Sequence, residues 1–157
     1  MKIRVHRTTD TELIRSIVTD PRAFEVRAED GYTVEDVQVV IDPRIYWVAL
    51  VVDDTTIGVV TATPLSRTVL DFHVTIKPEF WRQSVNVKIV RLAATFLLER
   101  TDAAKLNATV PVSAQPVIRF LQRVGFKREG INRASFRHKG ELVDQCYLGF
   151  TEASLGE

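Results

Sequence analysis

Apolar and polar positions first alternate and then turn helical near the start of the chain. Ile3 and Val5 fall on one side of a short run with polar residues between them, a period of two that predicts a half-buried strand. Thr9 and Glu12 have capping-box spacing ahead of Leu13, Ile14, Ile17 and Val18, which share one helical face. Asp20-Pro21 predicts the end of that helix, because the residue before a proline is pushed out of helical geometry. Residues 22–32 have no clear period. A second helix-like run is expected from Thr33-x-x-Asp36, with Val34, Val37, Val40 and Ile41 on its apolar face and Asp42-Pro43 as its stop.

The pattern then becomes strand-like. Residues 46–52 and 56–63 are rich in β-branched and aromatic side chains and are separated by Asp53-Asp54-Thr55, which predicts a hairpin. In the third strand of this meander, 68–76, alternation puts Leu70, Phe72, Val74 and Ile76 on one face and Asp71, His73 and Thr75 on the other. A long helix is expected over 85–100 and a strand over 105–112. A short helix follows, with Pro116 in its first turn, Val117, Phe120, Leu121 and Val124 as its buried stripe and Gly125 at its end. A closing hairpin turns at Lys139-Gly140. The order β-α-α-β-β-β-α-β-α-β-β predicts a mixed α/β (α+β) domain, mostly antiparallel, with at least one strand–helix–strand crossover.

Composition narrows the function classes. The 157 residues suffice for one domain with a substantial core, and 45% hydrophobic with 26% charged residues is the balance of an ordinary globular protein. A net charge of +1 gives no electrostatic reason to expect nucleic acid or an anionic membrane as partner. A single cysteine, Cys146, excludes an internal disulfide and points to a reducing, cytoplasmic setting. The N-terminus lacks the apolar run of a signal peptide, and no stretch approaches the roughly 20 apolar residues that span a bilayer. His6, His73 and His138 lie far apart without metal-ligand spacing, so no metal site is expected.

Two segments resemble the GNAT superfamily of N-acetyltransferases, and within it the branch that acetylates ribosomal-protein N-termini. "PVIRFLQRVGFKREGINRASFRHKGELVDQCYLGF" is similar to that branch's C-terminal signature: a short helix ending in Gly-Phe, a basic-Arg-Glu-Gly step, a strand, a glycine turn and a final strand. "DFHVTIKPEFWRQSVNVKIVRL" resembles the family's fourth strand, proline-aromatic step and cofactor loop. The resemblance implies a GNAT-like fold with about four helices, in which the fourth and fifth strands splay apart to admit the pantetheine arm of acetyl-CoA. It also implies that the pyrophosphate rests on backbone N–H groups at the start of the third helix, where donors are unpaired and the helix dipole is positive. The implied cofactor contacts are Arg82, Gln83, Ser84, Val85, Asn86, Val87 and Lys88 in the loop, with the backbone of Val74, Thr75 and Ile76 polarising the thioester oxygen.

The chain departs from the family pattern where the loop normally has small or glycine residues, here Ser84 and Asn86. Ser84 either lies under the phosphates or merely caps the helix, with Asn86 facing water. Ala114 stands where an Asn is common ahead of the fourth helix, and Leu121 where many members carry a Tyr near the thiol. Transfer to an amine needs a route for the amine's proton. Asp71 and His73, on one strand face, form a candidate relay or a pair of solvated polar residues, and Glu79 is a candidate contact to the substrate amine or a loop charge. Trp81 packs beneath the loop or, the preferred expectation, in the core; Cys146 reads as a buried mid-strand thiol.

The expected function is therefore acetyl transfer from acetyl-CoA to a protein or small-molecule amine by direct attack. The alternative is a GNAT-shaped protein that binds another protein without catalysis, a repurposing that fits viral or mobile-element proteins. A third reading is a domain that keeps CoA affinity without turnover. A C-terminal edge strand is a candidate site for homodimer pairing.

Overall fold

A computed structural model describes residues 1–156. Seven strands form one sheet in the order β1-β2-β3-β4-β5-β7-β6. They are β1 (Ile3–Arg7), β2 (Tyr46–Val52), β3 (Thr55–Pro64), β4 (Val69–Ile76), β5 (Lys105–Pro111), β6 (Lys127–His138) and β7 (Glu141–Thr151). The α-helices among the described residues are α1 (Thr11–Val18), α2 (Pro21–Arg27), α3 (Val85–Arg100) and α4 (Gln115–Val124). Every strand pair is antiparallel except β4–β5. This is the mixed α/β architecture that the order of elements implies, in the GNAT-like arrangement that the resemblance implies.

Strand alternation divides the core into two layers. Val48, Leu50, Val60, Ala62, Leu70 and Phe72 point to one face, where they pack with Ile89, Ala93 and Leu97 of α3 and Leu121 and Val124 of α4. Trp47 and Val59 point to the other and pack with Ile14, Ile17 and Val18 of α1. The two faces share one sheet because side chains of neighbouring strand residues point oppositely. Phe126 joins the sheet to the helical layer, with ring centroids 5.1 Å from Phe72 and 5.3 Å from Phe150.

Several local expectations are corrected. Asp10, not Thr9, caps α1: its Oδ1 accepts from the Leu13 N–H at 3.1 Å. Asp20-Pro21 ends α1 but also begins α2, with Asp20 Oδ1 accepting from Arg22 N–H at 3.0 Å and Pro21 in the first turn, where its missing donor costs nothing. The run from Thr33 is not a full helix. Its capping box is present, yet it holds only a 3-10 turn, Val34–Asp36. Beyond that turn, side chains claim the carbonyls: Arg15 donates to Val37 O at 3.0 Å and Trp47 Nε1 to Val40 O at 2.9 Å. The β-branched residues there are weak helix formers and leave the backbone available for those bonds. On α4 the buried residues are Ile118, Leu121 and Val124, whereas Val117 and Phe120 are only half-buried.

β6 departs from regular pairing. Asn132 opposes Gln145 and Phe136 opposes Val143, so three residues on β6 face one on β7. Ala134 takes a positive φ of 49° in this bulge, and its N–H donates to Asp144 Oδ1 at 2.9 Å. The hairpin tip is fastened from outside: Asp30 accepts from the N–H groups of Lys139 (3.0 Å) and Gly140 (2.8 Å), and Glu29 Oε2 from Arg137 N–H at 2.7 Å.

Candidate active site

β4 and β5 start as neighbours and then part. Their parallel pairing covers only Val69↔Lys105, Leu70↔Leu106 and Asp71↔Asn107. β4 stays paired with β3 along its whole length, while β5 stays paired with β7. Beyond Asp71 and Asn107 the two half-sheets therefore diverge, and a cavity of about 200 Å³ fills the gap. It passes through the sheet. Val117 and Leu121 of α4 line it on one face, and Val26 and Arg27 of α2 on the other.

The divergence frees backbone groups on β4. Lys77 N–H donates to Ile57 O at 2.8 Å, which fixes which residues of β4 turn their backbone toward β3. By the alternation of an antiparallel ladder, Thr75 points its N–H toward β3, and Val74 and Ile76 point theirs to the open edge. The carbonyl of Ile76 obeys the same rule, since it accepts from Trp81 Nε1 at 2.8 Å on that side. Gly58 lies against this segment, and a Cβ there would meet Thr75 O at 2.5 Å.

Asp71 and His73 come together on the α1/α2 face of β4. His73 Nε2 lies 2.8 Å from Asp71 Oδ2, and His73 lines the cavity with Val74. Glu79 stands apart from the cavity lining, in the 3-10 turn Pro78–Phe80, where its carboxylate faces Arg22 at 3.4 Å.

The loop into α3 has a definite backbone. Arg82 is its left-handed residue, with φ of 65°. Ser84 is helical (φ −62°, ψ −28°) and its side chain caps nothing. Asn86 does not face water: it is 4% exposed, and its Nδ2 donates to Phe80 O at 2.8 Å, tying the loop to the helix. Its Oδ1 is buried without a protein partner, as is Asn107 Oδ1 where the strands separate. Val85 packs inward, Val87 is half-buried, and Arg82, Gln83, Ser84 and Lys88 are exposed around the helix start. Trp81 is not a core residue. It is 41% exposed and is held across the end of β4 by its indole bond to Ile76.

The diphosphate of a coenzyme fits what this loop offers. The first turn of α3 presents backbone donors, only small Ser84 stands at its outer start, bulky Val85 is withdrawn into the core, and two exposed cations flank it. Sequence patterns missed Arg27, Phe136 and Gln145, which also line the cavity. The Asp20-Pro21 helix start was the available signal for Arg27; the bulge that turns Phe136 inward has none. Ala114 and Leu121 both line the cavity, so two of the four positions that depart from the family pattern face the gap itself, while Ser84 and Asn86 lie at the start of α3. Cys146 is fully buried in β7. No group of His, Cys, Asp or Glu among the described residues is placed to hold a metal, and no helix there is long and apolar enough to cross a membrane.

A sheet split between its fourth and fifth strands, with a helix start beside the gap, defines an acyltransferase-like class of fold. The model of the acetyltransferase (GNAT) domain matches residues 1–127, and the chain belongs to that family. No curated protein matches it. Among solved structures it is similar to a spermidine N-acetyltransferase from Vibrio cholerae, in complex with CoA and spermine, at 12% identity and a TM-score of 0.80, over 99% of this chain and 98% of that one. It is also similar to a GNAT-family acetyltransferase from Streptococcus pneumoniae (14% identity, TM-score 0.74, 96% and 99% covered) and one from Bacillus anthracis (16%, 0.74, 98% and 96%). At such identities the likeness is one of fold.

Proposed function

We propose that this protein transfers an acetyl group from acetyl-CoA directly to an amine, giving an amide and the free thiol. The observation that carries this reading is the cavity through the sheet between β4 and β5, with His73 on one of its walls. When bound, acetyl-CoA supplies the activated acetyl group as a thioester. Its diphosphate would be held by N–H groups at the start of α3, over Gln83, Ser84, Val85 and Val87, with Arg82 and Lys88 adding charge; Asn86, whose N–H donates to Gln83 O at 3.1 Å and Nδ2 to Phe80 O, would brace the loop instead. The Vibrio cholerae enzyme of the same fold, in complex with CoA, supports that choice of cofactor.

Each chain residue then has a defined task. The N–H groups of Val74 and Ile76, on the open edge of β4, are donors for a carbonyl oxygen that gains negative charge; Thr75 holds the strand to β3. His73 takes a proton from the attacking amine, and Asp71, 2.8 Å from its Nε2, keeps the ring in place. Glu79, beside Arg22, acts at the margin of the site on an arriving amine. Phe136, Val117 and Leu121 give the gap an apolar wall against which the acyl group would lie.

A specific observation favours a second reading. Leu121 and Ala114 put apolar atoms in the cavity where many relatives carry a Tyr and an Asn. A protein-binding role without catalysis would tolerate both. Titrating acetyl-CoA and measuring thiol release over a panel of protein N-termini and small amines separates the two. Saturable binding with release upon adding one amine class supports transfer. The absence of any binding at millimolar acetyl-CoA rejects it in favour of partner binding.

A further inference from the structure

The ionisable side chains that line the cavity are Arg27 and His73; no carboxylate lines it. Arg27 sits on the α2 side, where an acceptor would enter if the coenzyme lies against α3 and α4. Its Nη2 donates to Val18 O at 2.9 Å, and no carboxylate among the described residues lies within ion-pair distance of it. Arg22 and Arg44, by contrast, each have an aspartate partner, at 3.2 and 3.1 Å. Glu29 shares an adjoining cleft with Arg27 but spends Oε2 on the Arg137 N–H, and Asp71 is turned to His73. A guanidinium has five donors in a rigid fork that matches a carboxylate. Arg27 lines the cavity and is exposed, and apart from its bond to Val18 O the fork has no counter-ion among the described residues.

We infer that the acceptor is a small amine that also carries a carboxylate, and that Arg27 binds the carboxylate so that the amine lies toward His73. This rests on the acetyl-transfer reading and adds the substrate class to it. A polyamine arrives with several positive charges and would meet a cation and no acid in this cavity. A carboxylate beside the amine reverses the sign of that encounter. A charge-assisted contact of this kind changes affinity by about tenfold to a hundredfold.

Matched pairs test it: glycine with ethylamine, β-alanine with propylamine, γ-aminobutyrate with butylamine, and spermidine alone. Calorimetry in the presence of CoA reads amine binding, and thiol release reads turnover. At least one amino acid should exceed its matched amine and spermidine tenfold or more in affinity and in kcat/KM, and Arg27→Gln should bring that ratio near one. Arg27→Glu should turn the preference toward spermidine. Preference of the unaltered protein for spermidine or the plain amines would overturn the inference, as would an unchanged ratio in Arg27→Gln. Should Arg27→Gln fail to fold, the ratio in the unaltered protein decides. Amino acid binding without thiol release would keep the inference and reject the transfer reading. Transfer to plain amines alone would do the reverse.

Discussion

Arg82 is a long, charged residue in a conformation that normally goes to glycine or asparagine, and its φ of 65° sets the loop's direction into α3. Left-handed geometry costs an ordinary residue about 1 kcal/mol. Arg82→Gly should therefore leave the melting midpoint unchanged or raised, while acetyl-CoA affinity in calorimetry falls about tenfold if the guanidinium meets phosphate. At His73 the prediction concerns rate. His73→Ala should lower kcat on the order of a hundredfold with little change in acetyl-CoA affinity, and Asp71→Asn should lower it less, since the role proposed for Asp71 is to orient the ring. Steady-state kinetics on the two variants checks the order. Asp71 and His73 were readable as a pair because β4 alternates cleanly. Arg27 was missed because residues 22–32 have no apolar period to extend the one signal there, the Asp20-Pro21 helix start.

The start of α3 shows how far a pattern carries at the level of an element. The helix itself follows from its length and apolar content, and its span matches the expected 85–100. How it is anchored does not follow. In one dimension Asn86 looks like a surface substitute for a small residue; in the fold it is a buried tie to Phe80, with one oxygen left without a protein partner. Asn86→Ala should destabilise the protein by about 1–2 kcal/mol in urea unfolding, because Phe80 O loses its buried donor. α2 and the 33–41 run show the opposite limit. A proline after an aspartate was read as a stop when it was also a start, and a valine-rich run with a sound capping box became extended once Arg15 and Trp47 took its carbonyls. A local cap, Asp20 Oδ1 on the Arg22 N–H, decided the first case; hydrogen bonds from Arg15 and Trp47 decided the second, and the spacing within the run does not contain them.

Across the whole molecule, strand order follows from the meander and the crossover, but the separation of β4 from β5 has no periodic signature. Each strand alternates normally, and the gap arises because each keeps its other neighbour. The acceptor side is also held by long-range contacts: Asp30, just after α2, clasps the β6–β7 turn. The N–H groups of Gly140 and Lys139 hold the Asp30 carboxyl below the usual carboxylate range. A lowered native value stabilises the fold above the unfolded carboxylate's pKa, about 3.9, and this is lost as pH falls through the native value. The stability advantage of the unaltered protein over Asp30→Asn, measured by thermal unfolding, should thus be present at pH 7 and shrink toward pH 3. The central claim is that α3's opening turn still holds a coenzyme diphosphate without the family's glycines. Calorimetry of acetyl-CoA with the unaltered protein and with Ser84→Arg, whose side chain fills the space at that turn, tests this most directly. Saturable binding that Ser84→Arg abolishes is the predicted result; no heat with the unaltered protein, or equal binding by both, would contradict it.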